Sequence, residues 1–278
     1  MSLYSEGDDW DKHWVSMHTA AGLNPAQDFR RRLLLAQLGQ LCSAGHGPLR
    51  LLDIGCGTGD FALSFHKAFP GGQYLGIDVS QAGIEICRQK VPGARFQQQD
   101  LTHPSPIATV DQGWATVAIC SEVLEHVDQP GLILTHIQPY LAPSAVLLIT
   151  VPGGPMSDFD KHIGHRQHFS ITGLKSLLEE SGYGRCRVWG SGFPFFNLYR
   201  LAVILRGQKL VDDASQTARP MSLASRLAMS LFGILFRFNL NRSTLGWQRF
   251  AVAVYNPPSS AAALSEPTCT LTQPVAAP

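Results

Sequence analysis

Charge is scarce in this 278-residue chain: 15% of residues are Asp, Glu, Lys or Arg, and 22 basic side chains nearly cancel 21 acidic ones. A nucleic-acid partner usually requires a basic excess or stripe, so none is expected. Cysteine is present without pattern. Cys42, Cys56, Cys87, Cys120, Cys186 and Cys269 form no CxxC pair and no compact framework, which argues against a disulfide scaffold and for a reducing compartment. No apolar run approaches the roughly 20 residues that span a bilayer. The opening MSLYSEGDDWDKHW is acidic and polar, unlike a secretory leader, so the expected location is the cytoplasm. Internal repeats are lacking too.

What the chain does have is alternation. NPAQDFRRRLLLAQLGQL (24–41) predicts a helix, with Asn24 as cap, Pro25 in the first turn and a stripe of Leu33, Leu34, Leu38 and Leu41. Strand-like LRLLDIG (49–55), QYLGIDV (73–79), ARFQQQDL (94–101), WATVAIC (114–120) and AVLLITV (145–151) follow. Between and after them run helical DFALSFHKAF (60–69), SQAGIEICRQK (80–90), PGLILTHIQPYL (130–141, kinked at Pro139) and SITGLKSLLEESG (170–182). Apolar strands separated by helices imply an α/β, Rossmann-like sheet, mostly parallel and covered on both faces. RCRVWGSG (185–192) and WQRFAVAVY (247–255) bring the expected strand count to seven. Residues 1–45 are expected to form a helical cap or lid, 46–192 with 247–256 the core, and 193–246 an apolar helical insertion. The Pro/Ser/Ala-rich 257–278 is expected to be a disordered tail.

Ligands of open parallel sheets bind beyond the carboxyl ends of the strands. LDIGCGTGD is such an end, where Gly55, Gly57 and Gly59 permit a tight turn and close approach of a ligand. A dinucleotide fingerprint needs a further glycine at position 60, where this chain has Asp60. Asp53 and Asp60 would repel a phosphate and suit a cationic cofactor without one. Asp78 is placed to grip two ribose hydroxyls, and Asp100 to accept from an exocyclic amine. For each carboxylate the bland alternative is a turn or cap.

Acid, glycines, ribose-side acid and adenine-side acid, in this order, resemble the class I S-adenosylmethionine-dependent methyltransferases. The resemblance covers about residues 30–190 and rests on LLDIGCGTGD, YLGIDVS, FQQQDL, CSEVLEHV and VPGG…HFS…LLEESGY. CSEVLEHV is most similar to the group holding the ubiquinone-pathway O-methyltransferases and many natural-product enzymes. The resemblance implies that Asp53, Gly55, Cys56, Gly57 and Gly59 face the methionine end of S-adenosylmethionine. Asp78 and Val79 would take the ribose, and Asp100 with Leu101 the adenine. Cys120, Ser121 and Glu122 would border the transfer site, with His126 the nearest base-type residue; His126 as a packed helix histidine competes with that role.

DKHIGHRQHF (160–169) spaces His162, His165 and His168 by three. Flanking glycines argue for a loop, HExxH spacing is absent, and no metal is expected. By the resemblance this loop lies over the acceptor site, which makes His165 and His168 candidates to touch the acceptor and His162 the weakest of the three. Tyr4, Trp10, His13 and Trp14 form a candidate lid. The insertion's apolar stretches, which include Phe195 and Tyr199, admit three readings: the wall of an acceptor pocket, a dimer surface, or an interfacial membrane helix. The expected activity is methyl transfer to a small, largely apolar acceptor, at oxygen first and nitrogen or carbon otherwise. Rivals are a nicotinamide-dependent oxidoreductase and a non-catalytic binder of the same cofactor.

Overall fold

The structure, a computed structural model, describes residues 10–12, 14, 24–43, 49–207 and 223–257. The expectations for Tyr4, His13 and the tail beyond 257 fall outside these residues. Helix α1 (Pro25–Ser43) opens as its sequence requires, with Ala26 N–H donating to Asn24 Oδ1 at 2.9 Å, and buries Phe29, Leu34, Leu38 and Leu41. Strands β1 (Arg50–Ile54), β2 (Gln73–Asp78) and β3 (Arg95–Gln98) alternate with α2 (Asp60–Ala68) and α3 (Gln81–Lys90). Then come β4 (Ala115–Ser121), α4 (Pro130–His136), β5 (Leu141–Pro152), the short α5 (Asp158–His162), α6 (Ile171–Glu180) and β6 (Tyr183–Ser191). Helices α7 (Phe195–Arg206) and α8 (Leu223–Leu235) precede β7 (Gln248–Tyr255).

The seven strands form one sheet in the order β3-β2-β1-β4-β5-β7-β6. β1 to β5 are parallel, and β7 runs antiparallel between β5 and β6. Central strands read as continuous apolar runs because both faces are covered: Leu51, Leu52, Ile119, Leu147 and Leu148 are fully buried. The strand order reverses between β1 and β4, which opens a crevice beyond their carboxyl ends.

One expected helix differs. α4 ends at His136, and Pro139 sits in a separate 3-10 turn, Gln138–Tyr140. Without an N–H, Pro139 cannot continue the ladder, so the helix stops where a kink was expected. No described helix is long and apolar enough to cross a membrane.

Candidate active site

The turn after β1 is fastened to the end of β2, with Gly55 and Cys56 N–H donating to Ile77 O at 2.8 and 3.1 Å. Gly55, Gly57 and Gly59 have φ of 71°, 55° and 77°, a region that side chains with a Cβ rarely enter. Gly59 begins α2 and packs against Cys87, whereas Gly55 and Gly57 line the crevice. Asp53 is buried below them and accepts from the Tyr74 hydroxyl. Burial lifts its pKa to about 7, the Tyr74 bond opposes, and Asp78 lifts it further.

Asp78 takes Gly57 N–H at 2.8 Å on one oxygen and Ser80 N–H at 2.9 Å on the other. Each oxygen keeps a lone-pair site for a hydroxyl. Burial raises its pKa, against the pull of these N–H groups. Two desolvated carboxylates beside an open crevice suit a cationic ligand with a diol and repel a phosphate.

Two adjoining clefts, of about 560 and 790 Å³, share Trp14, Gly55 and Glu122. Asp78, Val79, Gln99, Leu101 and Ile133 line the first; Asp53, Cys56, Thr58, Ser121 and Arg30 line the second. Asp100 is engaged by its neighbours in the chain. Its carboxylate accepts from Thr102 N–H at 2.8 Å and Thr102 Oγ1 at 2.6 Å and lies 2.9 Å from His103 Nδ1, while Gln99 and Leu101 on either side face the cleft. Burial alone would raise its pKa, but these donors hold it below the usual carboxylate range. Cys120 is fully buried behind Ser121, and burial raises its thiol well above the usual range, so it is not a nucleophile.

Trp10 and Trp14 stand over the opening. Asp11 anchors their segment on the N-terminus of α3, accepting from Ser80 Oγ at 2.6 Å and Ala82 N–H at 3.1 Å. A Cβ on Gly57 would come within 2.8 Å of the Trp14 ring, so that glycine admits the tryptophan. Trp10 meets His126 edge-on, ring centroids 4.9 Å apart.

Glu122 follows β4 with φ of 58° and lines both clefts. Gln248 Nε2 at 2.9 Å, Thr150 Oγ1 at 3.3 Å and Arg30 at 3.4 Å fix its carboxylate. His126 is the imidazole on the cleft wall. His165 and His168 do not line the cleft; they lie deeper, His165 with its ring 4.8 Å from His126. His168 Nδ1 is 3.1 Å from Gly154 O, which can only accept, so that nitrogen carries hydrogen. His168 Nε2 then accepts from His165 Nδ1 at 3.2 Å, and His165 Nε2 keeps its lone pair. Burial lowers both pKa values, that of His165 to about 2 with help from His126, so both rings are neutral. His162 is exposed at the end of α5.

Behind them Asp160, Ser157 and Arg200 form a buried node. Asp160 caps α5 reciprocally with Ser157 and takes Arg200 at 2.6 Å. Glu125 is fully buried, and neither carboxylate oxygen has a hydrogen-bond partner among the described residues. Burial, reinforced by Glu122, raises its pKa well above the carboxylate range. Glu125, His126 and His165, or Asp160, His165 and His168, offer ligand types that a metal uses. In the second set Arg200 and the inter-histidine bond already engage Asp160 and the facing nitrogens. Phe195 and Tyr199 line neither cleft; they belong to an aromatic cluster with Phe29, Phe196, Phe232 and Phe236.

The strand order, the acid–glycine turn and the carboxylate ending β2 define the class I S-adenosylmethionine-dependent methyltransferase fold. Residues 26–184 match the Methyltransferase domain family, and the chain belongs to it. It is 27% identical over 187 residues to the trans-aconitate 2-methyltransferase of Yersinia pseudotuberculosis serotype O:1b (strain IP 31758), covering 65% of this chain and 63% of that protein. Its identity to the Methylobacterium nodulans protein of the same name is 26% over 144 residues, 52% of this chain and 50% of that one. The chain thus spans between half and two thirds of the length of these relatives. Among solved structures, a Haloferax volcanii methyltransferase in complex with the Trm112 activator superposes with a TM-score of 0.56 at 14% identity, covering 91% of this chain and all of that one. The citrinin polyketide synthase CMeT domain gives 0.56 at 15% identity, with 82% and 52% covered. At these identities the likeness is one of fold. The cofactor of this class is S-adenosylmethionine, and the paired buried acids and the glycine turn fit it; the family match sets the nicotinamide reading aside.

Proposed function

We propose that this protein methylates a small, largely apolar acceptor at oxygen, with His126 as general base. The carrying observation is the composition of the cleft wall: Trp10, Trp14, Val123 and Val127 surround one imidazole, His126. When bound, S-adenosylmethionine supplies an electrophilic methyl group with a good leaving group already attached. Asp53, Gly55 and Gly57 hold its methionine end, Asp78 its ribose, and Gln99, Leu101 and Ile133 the adenine side. Trp10 and Trp14 exclude water above the acceptor. His126 takes the acceptor hydroxyl's proton, a contribution of roughly 10²–10⁴-fold, while alignment supplies more. His165 and His168 are positioning residues that back His126 with a neutral, ordered pair. Free Cys56, Cys87 and Cys120 accord with a cytoplasmic setting.

A second reading rests on Arg30 and Arg31, which line the second cleft, and on relatives named for trans-aconitate. A carboxylate acceptor would draw Arg30 and Arg31 from their present partners Glu122 and Asp28 and would need no base. Two measurements separate the readings from failure of both. Calorimetric titration with S-adenosylhomocysteine tests the cofactor, and no binding to folded protein would defeat either version. Methyl transfer to hydroxyl and carboxylate acceptors by H126A, across pH, tests the base. An unchanged hydroxyl rate in H126A would reject it.

A further inference from the structure

Ten of the twelve large apolar side chains most exposed among the described residues lie between 198 and 245. They have a pattern. In α8, Leu223, Leu227, Leu231 and Ile234 are 55–73% exposed, and at about 100° per residue they fall within an arc of about 80°. The opposite side carries Phe232 and leads into Phe236, which pack on Tyr199, Phe196 and Phe29. The helix is therefore apolar on both sides, one buried and one facing solvent. α7 repeats this arrangement, with Phe196 buried and Leu198, Leu201 and Leu205 exposed. A pocket wall would not leave these leucines open to water.

Among the described residues of this region the charges have one sign. Residues 193–207 and 223–246 contain no Asp or Glu, whereas Arg206, Arg226, Arg237 and Arg242 are exposed. Arg226 flanks the leucine stripe on α8, and Arg237 lies in the 3-10 turn Phe236–Phe238 that follows the helix. A second copy of the chain meeting this face across a two-fold axis would set arginine against arginine. A layer of anionic headgroups over an apolar interior matches both features at once. We propose that α7 and α8 seat the protein on the surface of an anionic phospholipid bilayer, the leucine stripe in the acyl boundary and the arginines among the headgroups. The inference is independent of what the cleft methylates.

The test is co-sedimentation of the full chain with vesicles of phosphatidylglycerol and phosphatidylcholine, and of phosphatidylcholine alone, at low and high salt. Binding to the anionic vesicles, reduced by salt and weak on the neutral ones, is the expected result. L227Q/L231Q should lower the partition at least about tenfold with unchanged melting, since exposed positions contribute little to folding. R226Q/R237Q should lower it by about fivefold for each arginine and flatten the salt dependence. No sedimentation of folded protein with either vesicle overturns the proposal. So does a stable dimer in light scattering that L227Q/L231Q converts to monomer, because the stripe is then the dimer's interface.

Discussion

Replacing Arg200 by Met tests how the insertion is tied to the core. Arg200 leaves α7 and meets Asp160 at 2.6 Å, with the two side chains 13% and 1% exposed. Burial alone would push Asp160 up; Arg200 and the Ser157 donors outweigh it and hold the pKa at about 2. Against the ordinary 3.8, that depression is worth about 2 kcal/mol, present above pH 4 and lost as pH falls toward 2. In R200M the side-chain stem remains but Asp160 is left to Ser157 alone. Stranding a buried charge costs about 3–5 kcal/mol, limited by the alternative of taking up a proton. The variant's Asp160 pKa then lies above its unfolded value, so its stability falls as pH rises past 4. The gap from the native protein should be small near pH 2 and about 3 kcal/mol near pH 7. Urea unfolding followed by tryptophan fluorescence at several pH values measures it. D160N/R200M should close most of the gap. A loss under about 1 kcal/mol, equal at both pH values, would refute the reasoning and class the pair with exposed ion pairs.

Three other outcomes follow from the site. Asp53 is lifted to about 7 chiefly by burial, so native stability should decline between pH 4 and 7, by up to about 4 kcal/mol, and D53N should melt with a flatter pH profile. Gly55→Ala puts a Cβ 2.3 Å from Val123 Cγ2 at φ of 71°, and should cost about 2–4 kcal/mol in urea unfolding; adding V123A should return the clash but not the backbone strain. Trp10→Ala should weaken S-adenosylhomocysteine binding about tenfold in calorimetry with little change in melting, and Trp10→Phe should retain most of it; equal losses in both would remove its role as a cover.

What was legible in the residues was local. Strand runs, the Asn24 cap and the acid–glycine turn each declare themselves within a few positions, because propensity and capping act over that range. Asp100 carries a local signal too. DLTH places a threonine two residues after the aspartate, the spacing of a side-chain turn, and that turn engages the carboxylate expected to meet adenine. The rest depended on pairings the chain makes at long range. Tyr74 reaches Asp53 because β1 and β2 pair Leu51 with Tyr74, which sets Tyr74 beside the face Asp53 shares. Arg30 meets Glu122, and Arg200 meets Asp160, through folds of the chain that no spacing encodes. The histidine triplet shows both limits together. Its flanking glycines suggested a loop, yet a helix end holds His162 in solvent while Gly154 and Asp160 turn the other two inward. What spacing could not show was their depth: neither lines the cleft, and the His165 ring lies 4.8 Å from that of His126, which does.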